Sequence, residues 1–334
     1  MPVQSTNQAP RDPGWAITDP VIALVGTDRF ELRTDAVIGS ADDCGIQLHD
    51  PANRVSRHHA SVTKTGDAWV VRDLDSTNGV RADGELRQTF ELAPAVEIEL
   101  GSVTLVAESA RLATLRELLA CAIGFSRRAA VAAGIQAIRR ATIQRMPLLV
   151  CGAGDLTGLA RRIHELVVAD GPFVVCEGEA ALPHLDGSGT LCLVGKRPAR
   201  DLPSLAAALR EPGKRPRITS CAPSTIDVPD VISMFAKAQM IEVPPITARI
   251  DEVTAMLDVF ARLAADDLGA AGTGFREHEH NWLDELAYTT LAELDETARR
   301  VVAMRNWGVS GGAAKLGITH GALSTWASRR KVPT

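Results

Sequence analysis

Short strand-like segments of the chain are interrupted by two polar runs, Val55-Ser56-Arg57-His58-His59-Ala60 and Asp73-Leu74-Asp75-Ser76-Thr77-Asn78-Gly79. Ser56 and Thr77 offer hydroxyl donors, and Arg57 offers a planar charged group that can hold a phosphate by two hydrogen bonds. Asn78 can hold a peptide backbone through its carboxamide. Gly79 suits a turn that needs positive φ. Together these residues predict loops that bind a phosphorylated polypeptide.

The segment from Val21 to Ala107 alternates apolar runs with turn residues. Turn signals such as Thr65-Gly66-Asp67 and Asp83-Gly84 recur about every eight to twelve residues, which is typical of an antiparallel β-sandwich. Loops at one end of a sandwich are rigidly supported and commonly carry binding residues. The predicted strands are Val21–Gly26, Arg29–Arg33, Ile46–Leu48, Ala60–Lys64, Ala68–Asp73, Val96–Leu100 and Val103–Ala107.

Roughly residues 20–107 resemble the forkhead-associated (FHA) domain, a β-sandwich that binds phosphothreonine. The resemblance depends on motifs that occur in the family's order: Val37-Ile38-Gly39, Ile46-Gln47-Leu48, Ser56-Arg57-His58-His59, Asp73-Leu74-Asp75-Ser76-Thr77-Asn78-Gly79 and Asp83-Gly84.

The FHA resemblance assigns roles to individual residues. It implies that Ser56, Arg57 and Thr77 contact the phosphate, and that Asn78 holds the backbone of the phosphopeptide. His59 would brace the loop that carries Ser56. The residues with an implied structural role are Gly39, His59 and Gly79.

One position departs from the FHA pattern. The family usually has Arg immediately after the glycine at position 39, where it commonly binds phosphate. This chain has Ser40, which is expected to take that place in the phosphopeptide site. Hydrogen bonds from a charged group are roughly twice as strong as neutral ones, so a weaker site is expected. Arg57, or Arg54 two residues before Ser56, could compensate. The alternative is a sandwich that keeps the fold and binds unphosphorylated protein.

An alternation of helices and strands begins at Leu112, where apolar residues recur at helical spacing as far as Arg145 and predict two helices. The glycines of Gly152-Ala153-Gly154 suggest a phosphate-binding loop, but that chemistry needs a Lys followed by Ser or Thr. Gly152–Gly158 contains no Lys, so a plain strand-to-helix turn is expected. The further predicted elements are strands at 148–150, 173–175, 191–194 and 217–220 and helices at 159–168 and 202–210.

This α/β segment resembles the AAA+ domain of bacterial sigma-54-dependent activators. The similar pieces are Ile123-Gly124-Phe125-Ser126, Ala160-Arg161-Arg162-Ile163-His164, Gly189-Thr190-Leu191-Cys192-Leu193, and Val243-Pro244-Pro245-Ile246 with Arg249, Asp251 and Glu252.

The departures from the AAA+ pattern fall on its chemistry. The family's acidic pair is replaced by Val194-Gly195, and the phosphate-loop Lys is absent. The stretch between Cys176 and Gly189 is too short for the loop that engages the sigma factor. We therefore expect no ATP hydrolysis, no enzymatic activity, no cofactor and no contact with sigma-54. The domain would serve as a scaffold, an oligomerisation surface or a relay. Arg249 is expected to be a surface residue that forms an ion pair.

The carboxy-terminal part predicts amphipathic helices at 254–267 and 280–297, followed by a helix-turn-helix. Ala314 is small enough for two helices to cross, Gly317 permits a sharp turn, and Thr319 can cap the next helix. Leu323 and Trp326 would pack that helix inward. The residues expected to face duplex DNA are Thr319, His320, Ser324, Thr325, Ser328, Arg329, Arg330 and Lys331.

Residues 296–331 resemble the Fis-type helix-turn-helix that ends the same activator family, through the run Ala313-Ala314-Lys315-Leu316-Gly317-Ile318. The recognition helix departs from the pattern at Trp326-Ala327, where Lys-Leu is usual, and at Gly321, which lowers helicity. The alternative is a small helical unit for dimerisation or capping.

Charge is distributed unevenly along a chain whose net charge is −5. Residues 251–298 contain twelve acidic and two basic side chains, whereas residues 299–334 contain seven basic and no acidic ones. A basic terminal module on an acidic protein favours a polyanionic partner for that module. A solvated basic tail is the alternative.

The composition predicts a cytoplasmic protein without membrane contact. No apolar run reaches the roughly 18 residues of a membrane helix, and residues 1–14 lack the pattern of a secretory signal. The six cysteines include no Cys-x-x-Cys pair, which is typical of buried reduced thiols, and no metal site is predicted.

The predicted fold is multidomain, as the length of 334 residues suggests. The expected parts are a disordered segment (1–19), an FHA β-sandwich (20–108), a degenerate AAA+-like α/β domain (109–250), a helical lid or linker (251–295) and an all-α helix-turn-helix (296–334). The main hypothesis is a bacterial transcription regulator that reads phosphothreonine, in Ser/Thr kinase signalling, on a partner or on a sister protomer of a homo-oligomer. The alternatives are a phosphoprotein-binding adaptor that does not bind DNA and a working nucleotide-driven activator.

Overall fold

The computed structural model describes residues 14–168, 171–185, 189–209, 216–224, 238–272 and 275–333. The chain divides into two compact units. One consists of residues 1–115 with 166–169, and the other of residues 116–165 with 170–334. Within the described ranges, no helix is long and apolar enough to cross a membrane.

The first unit is built from short β-strands joined by tight turns. In the described part of this unit the strands are β1 (Val21–Val25), β2 (Arg29–Glu31), β3 (Ala36–Gly39), β4 (Ile46–Gln47), β5 (Ala60–Thr65), β6 (Ala68–Asp73), β7 (Val80–Ala82), β8 (Glu85–Leu86), β9 (Thr89–Glu91), β10 (Glu97–Leu100) and β11 (Val103–Ser109).

These strands form two sheets, with the orders β2-β1-β11-β10-β7-β8 and β4-β3-β5-β6-β9. Neighbouring strands are antiparallel, except that β3 and β4 are parallel. Alternate residues are buried, as Trp69, Val71 and Asp73 are along β6. The predicted β-sandwich is therefore confirmed. Four short strands, β3 and β7 to β9, were not predicted.

Strand direction brings three loops to one end of the sandwich. β3 and β4 end there, β5 begins there beside β3, and β6 ends there beside the start of β5. The loops after β3, β4 and β6 consequently share this end, while Arg33, which precedes β3, belongs to the opposite end.

The prediction of disorder over residues 1–19 is wrong for residues 14–19; residues 1–13 lie outside the described part of the chain. Trp15 and Ile17 are buried. Asp19 accepts hydrogen bonds from the Ser109 hydroxyl at 2.8 Å and from the backbone N–H of Arg111 at 2.9 Å. Apolar burial and these bonds order a segment whose sequence has few structure-forming residues.

Helices and strands alternate from residue 110 onward. In chain order the described elements are α1 (Ala110–Ile123), α2 (Arg128–Gln144), β12 (Leu148–Gly152), α3 (Thr157–Val167), β13 (Phe173–Cys176), β14 (Thr190–Val194), α4 (Leu202–Ala208), β15 (Arg217–Ala222), β16 (Gln239–Val243), α5 (Val253–Leu268), α6 (Glu277–Asp284), α7 (Leu291–Leu316) and α8 (His320–Arg330).

The strands of this second unit form one parallel sheet in the order β13-β14-β15-β12-β16. Every residue of β15 is buried, as expected for an inner strand of a parallel sheet covered on both faces. The predicted α/β region and the helical region after it are thus present.

The helix predicted at 280–297 is two helices. α6 ends at Asp284, and α7 begins after Thr290, whose hydroxyl accepts a hydrogen bond from the Glu293 backbone N–H at 3.3 Å. The Glu293 carboxylate in turn accepts from the backbone N–H of Thr289 at 2.8 Å. These reciprocal bonds fix a helix start within the predicted span.

The helix crossing predicted at Ala314 lies elsewhere. Ala314 is exposed, whereas Gly312 and Ala313 are buried. A Cβ on Gly312 would lie 3.0 Å from the carbonyl carbon and oxygen of Ala303, so the backbones meet at Gly312. α7 allows this contact because it bends at Gly308, which has φ of 64° and ψ of −176°.

Arg249 is buried, so the prediction of a surface ion-pair residue is wrong. Its guanidinium donates to the carbonyls of Cys121 at 3.0 Å and Ala122 at 3.1 Å, at the carboxyl end of α1. Burial lowers the pKa of Arg249, and the neighbouring Glu252 carboxylate, 3.4 Å away, opposes that shift. Arg249 therefore satisfies the last carbonyls of a helix inside the protein.

Candidate functional site

The loop between β4 and β5 and the loop between β6 and β7 are joined by direct hydrogen bonds. The Ser56 hydroxyl oxygen accepts from the backbone N–H of Thr77 at 3.1 Å. The Asn78 side-chain amide donates to the carbonyl of Arg54 at 2.8 Å. Four residues that the sequence predicts to bind phosphopeptide are thus adjacent, on two loops that hold each other in place.

His59 is fully buried and connects the same two loops. Its Nδ1 accepts from the backbone N–H of Ser56 at 3.0 Å, and its Nε2 lies 3.1 Å from the carbonyl oxygen of Gly79. Because a carbonyl oxygen can only accept, Nε2 carries the proton and Nδ1 does not. A neutral His59 in this single tautomer satisfies both bonds.

Gly39 allows the loop after β4 to pass close to β3. A Cβ on Gly39 would lie 2.1 Å from the carbonyl oxygen of Arg57 and 2.8 Å from its carbonyl carbon, which no side chain tolerates. Gly79 has φ of 71°, in the region that favours glycine. Both glycines are required by backbone geometry at the site.

Ser40 contributes to the loop and brings no charge to it. Its hydroxyl donates to the carbonyl of Val55 at 3.2 Å, and its backbone N–H donates to the carbonyl of Ser56 at 3.1 Å. The side chain that replaces the family's usual Arg is thus engaged with the backbone just before Ser56.

Asp50 anchors the first half of the loop, and the sequence analysis did not single it out. Its carboxylate accepts from the backbone N–H groups of Arg54 at 2.5 Å and Val55 at 2.8 Å, and from the Ser102 hydroxyl. The Ser102 hydroxyl, followed by those N–H groups, lowers the pKa of Asp50 despite partial desolvation. Gly101 permits this approach, since a Cβ there would lie 2.5 Å from the carbonyl carbon of Arg54.

Asp50→Asn should reduce stability in a pH-dependent way. Because the folded protein lowers the pKa of Asp50, the carboxylate stabilises the fold above its unfolded pKa of about 3.9 and loses that effect as the pH falls through the folded-state pKa. We expect the difference in unfolding free energy between wild type and variant to be full near neutral pH and to shrink below about pH 4. Urea unfolding across this range measures the difference, and a pH-independent difference would contradict the assignment.

Two arginines give the site positive charge. Arg57 and Arg54 are exposed, and within the described part of the chain neither guanidinium makes a hydrogen bond or an ion pair. Next to Arg57, His58 Nε2 lies 2.9 Å from Asp43, and this bond lowers the pKa of the Asp43 carboxyl. Asp43 is thereby paired with His58.

Together, the hydrogen-bond donors of these loops suit a tetrahedral anion attached to an extended peptide. Ser56 and Thr77 have hydroxyl groups, Arg54 and Arg57 have unengaged guanidinium groups, and Asn78 keeps a second amide hydrogen and its oxygen. Arg is well suited to phosphate, because its parallel N–H groups can bind two oxygens at once.

The residues predicted to face DNA have mixed surroundings. The Thr319 hydroxyl is occupied as the cap of α8, since it accepts from the Ala322 backbone N–H at 3.2 Å. Ser324 and Arg330 are half-buried, and the Arg330 guanidinium lies 5.6 Å from the ring centre of Trp326. The exposed members of the predicted set, apart from Thr319, are His320, Thr325, Ser328, Arg329 and Lys331.

The turn between β12 and α3 does not fit a nucleotide phosphate. The Asp155 carboxylate accepts from the backbone N–H of Thr157 at 2.9 Å and from its hydroxyl at 2.6 Å, so it supplies the negative charge at the start of α3. A Cβ on Gly154 would lie 2.5 Å from Thr290 Cγ2. A carboxylate and a packed methyl group thus stand where a phosphate-binding loop needs open donors.

Residues 36–101 match the family model of the FHA domain, so the β-sandwich carries an FHA domain over about a fifth of the chain. No curated protein matches the chain significantly. Among solved structures, the FhaA FHA domain complexed with the intracellular domain of Rv3910 is 29% identical, with coverage of 25% of this chain and 96% of that one and a TM-score of 0.24. Mycobacterium tuberculosis EmbR in complex with a low-affinity phosphopeptide is also 29% identical, with coverage of 27% and 24% and a TM-score of 0.25. The assignment of the FHA domain depends on the family match over residues 36–101.

Proposed function

We propose that this protein is a non-enzymatic bacterial transcription regulator that reads phosphothreonine on a partner protein. The observation that carries the proposal is the pairing of Ser56 with Thr77 and of Asn78 with Arg54, at 3.1 and 2.8 Å. This pairing presents hydroxyl and amide groups on one surface beside the exposed guanidinium of Arg57. The FHA match over residues 36–101 includes all of them and supports the same ligand class.

A phosphothreonine peptide and its unphosphorylated twin test the sensor. The full-length chain should bind the phosphorylated peptide at least tenfold more tightly, because a charge-assisted hydrogen bond contributes about 1.5–3 kcal/mol. Isothermal titration calorimetry with a degenerate peptide library around one phosphothreonine gives the comparison. Equal binding of both forms would support the alternative of a sandwich that binds unphosphorylated protein.

The proposal assigns DNA binding to the carboxy-terminal helices, in the manner of a Fis-type helix-turn-helix. Three of the seven basic residues in 299–334 are paired with acids in the structure: Arg299 with Asp267, Arg300 with Glu296, and Arg305 with Glu279. Arg329 and Lys331, at the end of α8, are exposed. Lys315 is also exposed, but its amine donates to the Leu268 carbonyl at 3.4 Å, so the charge most available to a polyanion lies at the end of α8.

Arg329→Gln combined with Lys331→Gln should weaken duplex binding and flatten its salt dependence. Each lost phosphate contact reduces the slope of log K against log salt by about 0.9, so the double variant should lose about 1.8. Fluorescence anisotropy at several salt concentrations measures the slope. The matched control replaces two exposed arginines of the sandwich, Arg33 and Arg72, and should leave it unchanged. Absence of DNA binding by the wild type would favour the phosphoprotein-binding adaptor.

The central α/β region is proposed as a degenerate AAA+-like scaffold. Its support is the capping of α3 by Asp155 and the packing of Thr290 on Gly154, together with the missing Lys and carboxylates. We expect the purified chain to show no ATP turnover and no ATP-dependent assembly. Turnover that is lost in an Asp155→Ala variant would instead indicate a working nucleotide-driven activator.

A further inference from the structure

Three different metal-ligating side chains converge beside the loop that carries Arg57. The Asp43 carboxylate, the Cys44 thiol and the His58 imidazole each place one ligand atom within 4.8 Å of the other two. His58 Nε2 is 2.9 Å from Asp43 Oδ1, and the Cys44 thiol donates to the carbonyl of Arg57 at 3.2 Å. The cluster is separate from the phosphate-binding side chains described above.

We propose that Asp43, Cys44 and His58 form a three-ligand site for Zn²⁺ or a closely similar ion. A thiolate, an imidazole and a carboxylate are the three side-chain types that bind zinc, and Mg²⁺ or Ca²⁺ would require oxygen ligands throughout. Three protein ligands leave a fourth tetrahedral position for water or another small ligand.

The geometry requires only small movements. Ligand bonds of about 2.1 Å in a tetrahedron set neighbouring ligand atoms about 3.4 Å apart. His58 Nε2 and Asp43 Oδ1 are already closer than this, so mainly the thiol of Cys44 must approach. On binding, the thiol proton leaves to solvent and the hydrogen bond to the Arg57 carbonyl is replaced by a sulfur–metal bond.

The backbone already holds the two contributing segments together. Ser40 N–H donates to the Ser56 carbonyl and Ala41 N–H to the Arg57 carbonyl, both at 3.1 Å. Cys44 N–H donates to the Ala41 carbonyl at 3.2 Å, which closes the turn that carries Asp43 and Cys44. The ligands therefore belong to two segments whose relative position is fixed before a metal binds.

A metal ion at this site would strengthen phosphopeptide binding. This coupling rests on the proposed function of the sandwich. The loop after β3 has Ser40 in place of the usual Arg and carries the carboxylates of Asp42 and Asp43. Because the Cys44 thiol loses its proton, a bound Zn²⁺ would add a net charge of +1, which offsets one of these two carboxylates. It would also link the turn to the segment that carries Arg57. Zinc would then supply part of the positive charge that the missing Arg does not.

The test uses the full-length chain, stripped with a chelator and titrated with Co²⁺ as a spectroscopic probe and with Zn²⁺ as competitor. Wild type should bind one Co²⁺ with a thiolate charge-transfer band, which Zn²⁺ abolishes. The band should be lost in Cys44→Ser and in His58→Gln, which replaces an exposed ligand. It should be kept in the control Asp42→Asn, which replaces a neighbouring carboxylate that is not a ligand. A missing band, or one that survives in Cys44→Ser, would overturn the site.

Phosphopeptide affinity, measured with and without Zn²⁺, gives an independent readout. Zinc should raise the affinity of wild type and leave that of Cys44→Ser unchanged. A cobalt band without a zinc-dependent rise in phosphopeptide affinity would overturn the coupling between metal and peptide binding. Equal binding of phosphorylated and unphosphorylated peptide by metal-free protein would count against the proposed function alone. Thermal unfolding of each variant confirms that the sandwich is folded.

Discussion

Arg57→Ala is expected to bind a phosphothreonine peptide about 10- to 100-fold more weakly than wild type, and to lose most of its preference over the unphosphorylated form. Ser40 is neutral and bonded to the Val55 carbonyl, so the phosphate charge depends on Arg57 and Arg54. Removing one charged donor to a phosphate costs about 1.5–3 kcal/mol, which corresponds to this range. Calorimetric titration of both peptides measures the loss.

The control for Arg57→Ala is Arg33→Ala, which removes an exposed arginine from the opposite end of the sandwich. It should leave both affinities unchanged. Arg57 makes no side-chain bond to other described residues, so its replacement should not destabilise the domain. A preference that persists in Arg57→Ala and disappears in Arg54→Ala would transfer the main phosphate contact to Arg54.

Gly39→Ala is expected to destabilise the sandwich by about 2–3 kcal/mol and to abolish phosphopeptide binding. The added methyl would lie 2.1 Å from the Arg57 carbonyl oxygen and 3.0 Å from Cys44 Sγ. Since the first of these is backbone, no side-chain rotation relieves the contact, and the loop carrying Ser56 and Arg57 must move away. Hydrogen exchange of amides in β5 and β6 reports on the sandwich itself.

The matched control for this effect is Gly84→Ala. Gly84 has φ of 81° and open space around it, so its replacement costs only the backbone strain of about 1–2 kcal/mol. It should retain phosphopeptide binding. If Gly39→Ala bound peptide as well as Gly84→Ala does, the loop would be able to move without losing its donors, and the close backbone approach at Gly39 would not be required for binding.

Sequence reasoning succeeded where the signal was local. The Ser56 and Thr77 runs and the turn spacing indicated the sandwich, and the helix predicted at 254–267 is α5 within a residue at each end. The start of α7 also had a local signal, Thr290 followed three residues later by Glu293, which the periodicity of the surrounding residues obscured.

Interactions between residues distant in sequence could not be predicted in this way. Asp50 and Ser102 are 52 positions apart, and Arg249 meets Cys121 across 128. Neither pair has a sequence pattern that identifies the partner, and an Arg beside acids is more often exposed. The count of basic residues in 299–334 likewise overstated the positive charge available to a polyanion. Arg299, for example, is paired with Asp267, and that pairing depends on the fold.

The packing of α7 bears on how the carboxy-terminal helices could be re-engineered. Val302 and Ala303 of α7 share a buried core with Ala261 and Leu268 of α5, and the Trp282 indole N–H of α6 donates to the Arg330 carbonyl at 2.8 Å. A fragment beginning at residue 296 would expose that core and remove the hydrogen bond from Trp282 that holds the end of α8. The carboxy-terminal helices are thus not a separable module. A test of the proposed DNA binding should exchange side chains on α8 and keep the helices beneath it.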